Sequence, residues 1–225
     1  MNRWIIRNTK WSLSLEEAAE ILRVSEDDME EFEEIFNKIM PCVSPMIYFG
    51  RETIVSNDGR NVMIGNTLFK SRILGVNLES IQEVYPYIIT SGRKAYELAE
   101  SFDDDLYKYW GHQICEIVLK RSTAAGFEDV KQILGKEKLS AMNPGSLSAW
   151  PISEQRPLFD LLGDVYEKTG VTLTPSFLMV PIKSGSGIWF ETETHYANCM
   201  MCPRSDCPNR RAEFDPKMFE EKYGD

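Results

Sequence analysis

The chain reads as an α+β fold, with an antiparallel or mixed central sheet and flanking helices. Three observations predict it. Apolar residues recur at helical spacing in several separate stretches, and shorter runs rich in Val, Ile, Tyr and Phe read as strands. The two kinds of segment do not alternate in the regular βαβ manner of a doubly wound parallel sheet. The composition, 225 residues with 43% hydrophobic and 27% charged, suits a chain that buries a sizeable core without covalent staples. We expect one domain over residues 1–225, in which 191–225 form a cysteine-bearing loop and a terminal helix.

Ser14-Leu-Glu-Glu17 is a capping-box pattern and predicts a helix to about Val24. Ser25-Glu-Asp-Asp28 reads as a second start, followed by Met29, Phe32, Ile35, Phe36, Ile39 and Met40 at helical spacing. Pro41 and Pro45 should end that helix, and the acidic run Asp27 to Glu34 is its solvated face. Glu52–Ser56 and Arg60–Ile64 flank Asn57-Asp58-Gly59, a hairpin signature. Ile81–Thr90 reads as a strand entered through Pro86. Gly92 opens a helix to about Phe102.

Asp103-Asp104-Asp105 marks a helix start, where carboxylates complement the positive end of the helix dipole. The helix it opens should run from Leu106 to Arg121, with Trp110, Ile114, Ile117 and Val118 on one face. Cys115 reads as a small buried residue on it and His112 as a structural histidine. Phe127–Leu134 reads as a separate short helix closed by Gly135. Leu139–Met142 predicts a strand leading into the loop Asn143-Pro144-Gly145-Ser146. Ser153 should cap a helix to Leu162, with Pro157 in its first turn, and Gly170 ends the helical stretch. Phe177–Val180 and Gly187–Phe190 read as strands, and Asp215-Pro216 starts a last helix.

The formal net charge of −10 argues against nucleic acid, whose phosphates need a basic face, and against anionic membrane surfaces. No run approaches the roughly 18 apolar residues of a membrane-spanning helix, and the start lacks the apolar core of a signal peptide. A cytoplasmic location is the expectation.

Three of the five cysteines lie within nine residues, Cys199-Met-Met-Cys202-Pro-Arg-Ser-Asp-Cys207. They are too closely spaced for an efficient set of loop-closing disulfides, whereas thiolates at this spacing can converge on one soft metal centre. The prolines after Cys202 and Cys207 stiffen the loop. C-x2-C-x4-C supplies three ligands where four are usual. Cys115, Cys42 and the local His195 are candidates for the fourth. Spacing leaves a 4Fe–4S cluster, zinc and no metal all open. Arg210 and Arg211 follow the third cysteine, in position to serve solubility, a local carboxylate, a negatively charged cluster or an acidic partner. No nucleophile–base arrangement is evident, and Gly185-Ser-Gly187 is too short for a phosphate loop. It reads instead as a strand entry where absent side chains allow a ligand or a neighbouring backbone to come close.

The segment from Gly170 to Phe190 resembles the activation (reactivation) domain of cobalamin-dependent methionine synthase. Leu173-Thr174, Ser176, Met179, Pro181, Ser184 and Ser186-Gly187 carry the likeness, with Asn143-Pro144-Gly145, Trp150-Pro151 and Glu154-Gln155 upstream. The chain resembles in particular the smaller, stand-alone members with a trailing C-x2-C-x4-C-x2-Arg-Arg element, here Cys199, Cys202, Cys207, Arg210 and Arg211. It covers residues 138–211, about a third of the chain, with 138–190 the best-matching core.

The resemblance implies an accessory protein that reactivates a corrinoid-dependent methyltransferase by assisting one-electron reduction of cob(II)alamin. The cobalamin would be carried by a partner, a corrinoid protein or methionine synthase. It also implies S-adenosylmethionine bound at the proline-glycine loop, with Asn143, Pro144, Gly145, Ser146, Ser184, Ser186 and Gly187 as site residues. Two positions depart from the family: an arginine is replaced by Ala141 and a tyrosine by Ser146. Alanine cannot make the bidentate carboxylate pair available to arginine. The alternatives are a docking module with structural zinc and an S-adenosylmethionine-binding activation subunit.

Overall fold

The computed structural model describes residues 2–7, 10–192, 198–207, 210 and 212–223. His195 and Arg211 lie outside the described residues. The first element, β1 (Asn2–Arg7), carried no strong pattern in the sequence; it exists because it pairs antiparallel with the next strand.

Ser14 then caps α1 (Leu15–Leu22) through the full capping box: its hydroxyl accepts from the Glu17 amide, and the Glu17 carboxylate accepts from the Ser14 amide. A 3-10 turn at Glu26–Asp28 leads into α2 (Met29–Ile39), whose Phe32, Ile35, Phe36 and Ile39 are buried as their spacing requires. Each such side chain contributes roughly 1.5–3 kcal/mol when removed from water.

The hairpin signature holds. β2 (Met46–Asn57) and β3 (Asn61–Ile64) pair around Gly59, whose φ of +87° suits glycine. β2 begins earlier than predicted because its buried first half, Met46–Gly50, has no polar alternation. β4 (Thr67–Lys70) and the short α3 (Arg72–Asn77) follow, then β5 (Glu83–Thr90). Pro86 lies inside β5. The ladder to β2 omits the two pairs around it, Phe49↔Tyr87 and Glu52↔Val84 being consecutive, which accommodates the missing amide hydrogen.

Gly92 precedes α4 (Arg93–Glu100). Asp104 caps α5 (Asp105–Leu134) by accepting from the amides of Leu106 and Tyr107. The two helices expected over 106–121 and 127–134 are one helix of 30 residues. The intervening Ser122–Gly126 contains no proline, and Ser122 and Gly126 are both buried, so packing outweighs weak local propensity.

β6 (Leu139–Met142) matches its predicted bounds. Ser153 is not a cap; it sits within a 3-10 turn, Ile152–Glu154, that runs into α6 (Gln155–Leu162). α7 (Val165–Thr169), β7 (Thr172–Leu173), β8 (Met179–Val180), β9 (Ser184–Glu191) and α8 (Pro216–Tyr223) complete the described elements. β9 starts three residues before its predicted bound because Ser184–Ser186 pair with β5 despite their small side chains.

The main sheet has seven strands in the order β4-β3-β2-β5-β9-β6, with β1 on β2, and every pairing is antiparallel. α5 covers one face through Phe127, Val130 and Leu134 against Phe49, Tyr87 and Trp189. α6 and α7 cover the other. A separate helical cluster joins α1, α2, α4 and the first half of α5. Arg3 ties β1 down: its guanidinium donates to the carbonyls of Leu161 and Leu162 and pairs with buried Glu52 at 2.6 Å.

Cys115 sits in the helical cluster, 0% exposed. Burial disfavours the thiolate and pushes the thiol from an ordinary 9.0 up to about 11, with a Ser91 hydrogen bond and Lys183 opposing. The folded state therefore holds this proton more tightly than the unfolded chain. The contribution, about 3 kcal/mol, is present below pH 9 and is lost as pH rises towards 11. Urea unfolding of the wild type should lose stability across that window. The loss should be clearly smaller in Cys115→Ala; the difference matters because buried Tyr48 and Tyr85 act in the same direction. Parallel slopes in the two proteins would show that the thiol is not the cause.

Candidate functional site

Strand alternation sets the character of β9. Ser184, Ser186, Ile188 and Phe190 face one side, and Gly185, Gly187 and Trp189 the other. On the first side Ser184 donates to the Thr90 hydroxyl at 2.9 Å, and buried Ser186 donates to the Gln155 amide oxygen at 3.2 Å. On the second side Gly187 lets a neighbouring strand and loop come very close. A Cβ there would meet the Met142 carbonyl, and the Asn143 amide nitrogen at 2.6 Å and the Tyr87 hydroxyl at 2.8 Å. Of the two readings left open for the glycines, Gly187 matches close approach of backbone.

Asn143 follows β6 directly and holds this corner. Its Nδ2 donates to Tyr87 Oη at 2.6 Å and to the Ser186 carbonyl at 2.7 Å. Tyr87 in turn stacks on Trp189 with ring centroids 3.8 Å apart and planes 12° apart. Beyond Asn143, Pro144 is buried while Gly145 and Ser146 are exposed. Gly145 has a φ of +82°, the left-handed backbone that a tight turn asks of glycine. The turn closes through Ser146 N–H to Asn143 O at 3.2 Å and Gly145 N–H to Trp150 O at 2.8 Å. Ser71 anchors the far side by donating to the Ala149 carbonyl at 2.9 Å. Ala141 packs with the aromatic cluster around Trp189. An exposed tip on a fixed base therefore presents backbone groups to solvent.

The cysteine loop returns to this corner. Asn198, buried and adjacent to Cys199, donates from Nδ2 to Asn143 Oδ1 at 3.3 Å. Its own Oδ1 is buried and finds no donor among the described residues. Met201 is buried with Trp150 in the same core cluster, so it packs. Cys199 and Cys202 lie three apart on a 3-10 turn, Asn198–Met201, closed by Cys202 N–H to Cys199 O at 3.2 Å. No disulfide joins any of the five cysteines. Among the described residues, no three His, Cys, Asp or Glu side chains are gathered as a metal ion would need. Cys199, Cys202 and Cys207 are each half-buried thiols and are the residues of this loop that could ligate a thiophilic metal.

Cys115 and Cys42 belong to the helical cluster, whereas Met201 of the cysteine loop belongs to the core around Trp150. The structure thus brings Asn143, Pro144, Gly145, Ser146, Ser186 and Gly187 to one corner beside Cys199. Ser184 stands one turn of the strand pleat away, on Thr90. Sequence reasoning missed Tyr87, Asn198 and the part played by Gln155. Their only signal is polarity inside apolar surroundings, which one sequence cannot separate from surface polarity. Leu178 and Ile182 flank β8 and are 54% and 49% exposed. No helix of the described residues is long and apolar enough to cross a membrane.

No protein-family model matches the chain, and no curated protein matches it. Among solved structures, the MetH reactivation domain bound to AdoHcy is similar in fold. The likeness has a TM-score of 0.56 and 16% identity and spans 88% of this chain and 82% of that one. The chain therefore has an α+β fold of the MetH reactivation-domain type, a curled antiparallel sheet flanked by helices.

Proposed function

We propose that this chain is an accessory protein that covers a cobalamin carried by a corrinoid partner and helps return oxidised cobalt to its active state. One observation carries the reading. The two segments that resemble the methionine synthase activation domain, separated in sequence, meet through the Asn143–Ser186 hydrogen bond, within a fold like that of a MetH reactivation domain. The AdoHcy in that relative's structure is what remains when S-adenosylmethionine gives up its methyl group. The half-exposed Leu178 and Ile182 that flank β8 suit a surface that docks on a protein.

In this reading, cob(II)alamin takes one electron from a low-potential donor and becomes cob(I)alamin. The methyl of S-adenosylmethionine then passes to cobalt, leaving AdoHcy. The Gly145–Ser146 tip holds the adenosyl ligand through backbone groups. Cys199, Cys202 and Cys207 hold a thiophilic centre. A 4Fe–4S cluster there supplies a one-electron carrier; zinc has no redox chemistry and leaves the chain a docking module.

The test is a mixture of the anaerobically purified chain with a corrinoid protein poised in the cob(II) form and a low-potential electron donor. We expect co-elution of the two proteins and faster loss of the cob(II) electron paramagnetic resonance signal than with the donor alone. Neither co-elution nor acceleration, with or without S-adenosylmethionine, would overturn the reading. Acceleration by a colourless, zinc-loaded chain would retain docking and remove the electron-carrying role of the loop.

A further inference from the structure

Arg210 lies three residues past Cys207 and turns back into the cysteine loop. Its Nη1 donates to the carbonyls of Cys199 at 3.2 Å and Ala212 at 2.9 Å. Its Nη2 donates to the carbonyl of Cys202 at 3.0 Å and to that of Arg204. Its own backbone amide donates to the Cys207 carbonyl at 3.1 Å. All three cysteines of the loop therefore give their carbonyl to one residue. Among the described residues all four acceptors of the guanidinium are backbone carbonyls, so it is spent on the loop backbone. A second anchor, Asp215 N–H to Met200 O at 2.9 Å, fixes the peptide between the first two thiols.

We infer that Arg210 is the positioning residue of a thiolate metal site. The inference rests on the reading that this loop holds a thiophilic metal, and it assigns how the chain prepares the loop for it. Gathering carbonyls from both sides of a short loop needs several donors in a fixed planar fork, which arginine has and lysine lacks. The fork ties the backbone of the C-x2-C turn to that of the Cys207 segment through their carbonyls. Its charge also offsets the excess negative charge that several thiolates place around a divalent ion. Residues that orient metal ligands without touching the metal typically change affinity by about 10–100-fold when altered.

The experiment titrates the reduced, full-length chain with Co2+ under exclusion of oxygen. Thiolate-to-cobalt charge-transfer absorption reports the number of sulfur ligands, and competition with a chelator gives the affinity. Wild type should show charge-transfer absorption of several thiolates. Arg210→Lys, which keeps the charge, and Arg210→Gln should both bind about 10-fold or more weakly, with reduced charge-transfer intensity. Their thermal unfolding without metal should stay close to wild type, because the bonds of the guanidinium lie within the loop, residues 199–212; Arg210→Lys decides the matter if Arg210→Gln does not fold. Wild-type affinity in both variants, or in Arg210→Lys alone, would overturn the positioning role and leave the metal reading intact. Absence of the charge-transfer band in wild type would remove the metal reading, and this inference with it.

Discussion

Replacing Trp150 by alanine should destabilise the protein by about 4 kcal/mol, within the range for truncating a buried tryptophan. Trp150 is 1% exposed and packs with Val62, Phe69, Leu74, Leu158 and Met201. Its ring meets Phe69 edge-on, with centroids 6.4 Å apart. Alanine would leave a cavity where the helices of one sheet face, the proline-glycine loop and the cysteine loop meet. Trp150→Phe should behave quite differently. The indole Nε1 is buried without an acceptor among the described residues, so phenylalanine gives up volume but no hydrogen bond, and the cost should be about 1–2 kcal/mol. Urea unfolding of the three proteins checks the contrast. A Phe variant as unstable as the Ala variant would mean that the indole nitrogen has a partner after all. In the Ala variant the Gly145–Trp150 closure should also loosen, exposing the loop to proteolysis before the sheet.

Much of the fold was legible because its signals are local. The Ser14–Glu17 box, the Asn57-Asp58-Gly59 turn, the Asp104 cap and the strand Leu139–Met142 each follow from a few adjacent residues, and the structure has all four. What escaped depends on residues far apart. β1 is a strand because Met46–Arg51 offers it an edge. α5 runs unbroken because Ser122 and Gly126 are buried against other elements. The site divides in the same way. Gly187 was legible as a place where an absent side chain admits a neighbour, and Gly145 as part of a loop. That the Met142–Asn143 backbone is what comes up to Gly187 required the register of β6 against β9. The thiol loop announced itself by spacing. The role of Arg210 did not, since its partners are backbone carbonyls, which every residue carries.

Gly187→Ala should be nearly as damaging, at about 4 kcal/mol, and for the opposite reason. The new methyl would overlap the Met142 carbonyl, which belongs to a paired strand and cannot swing aside, and would press on Asn143 Nδ2 and Tyr87 Oη. Overpacking of a close contact typically costs about 1–3 kcal/mol. Displacing Asn143 further weakens its bonds to Tyr87 and the Ser186 carbonyl, at about 1 kcal/mol or more. The nearby Gly185→Ala is the control: there the methyl meets only the Ile89 side chain, at 2.9 Å, whose end can rotate away. That variant should lose no more than about 1 kcal/mol. Chemical unfolding followed by tryptophan fluorescence, to which Trp189 stacked on Tyr87 contributes, reads the stability of both variants. The damage in Gly187→Ala should also reach the cysteine loop, because Asn143 Oδ1 is what receives Asn198, the neighbour of Cys199. Faster thiol labelling at Cys199 in folded Gly187→Ala, but not in Gly185→Ala, would establish that the two halves of the site are mechanically joined. Equal labelling in both would show that the thiol loop holds its shape independently of the corner on which it rests.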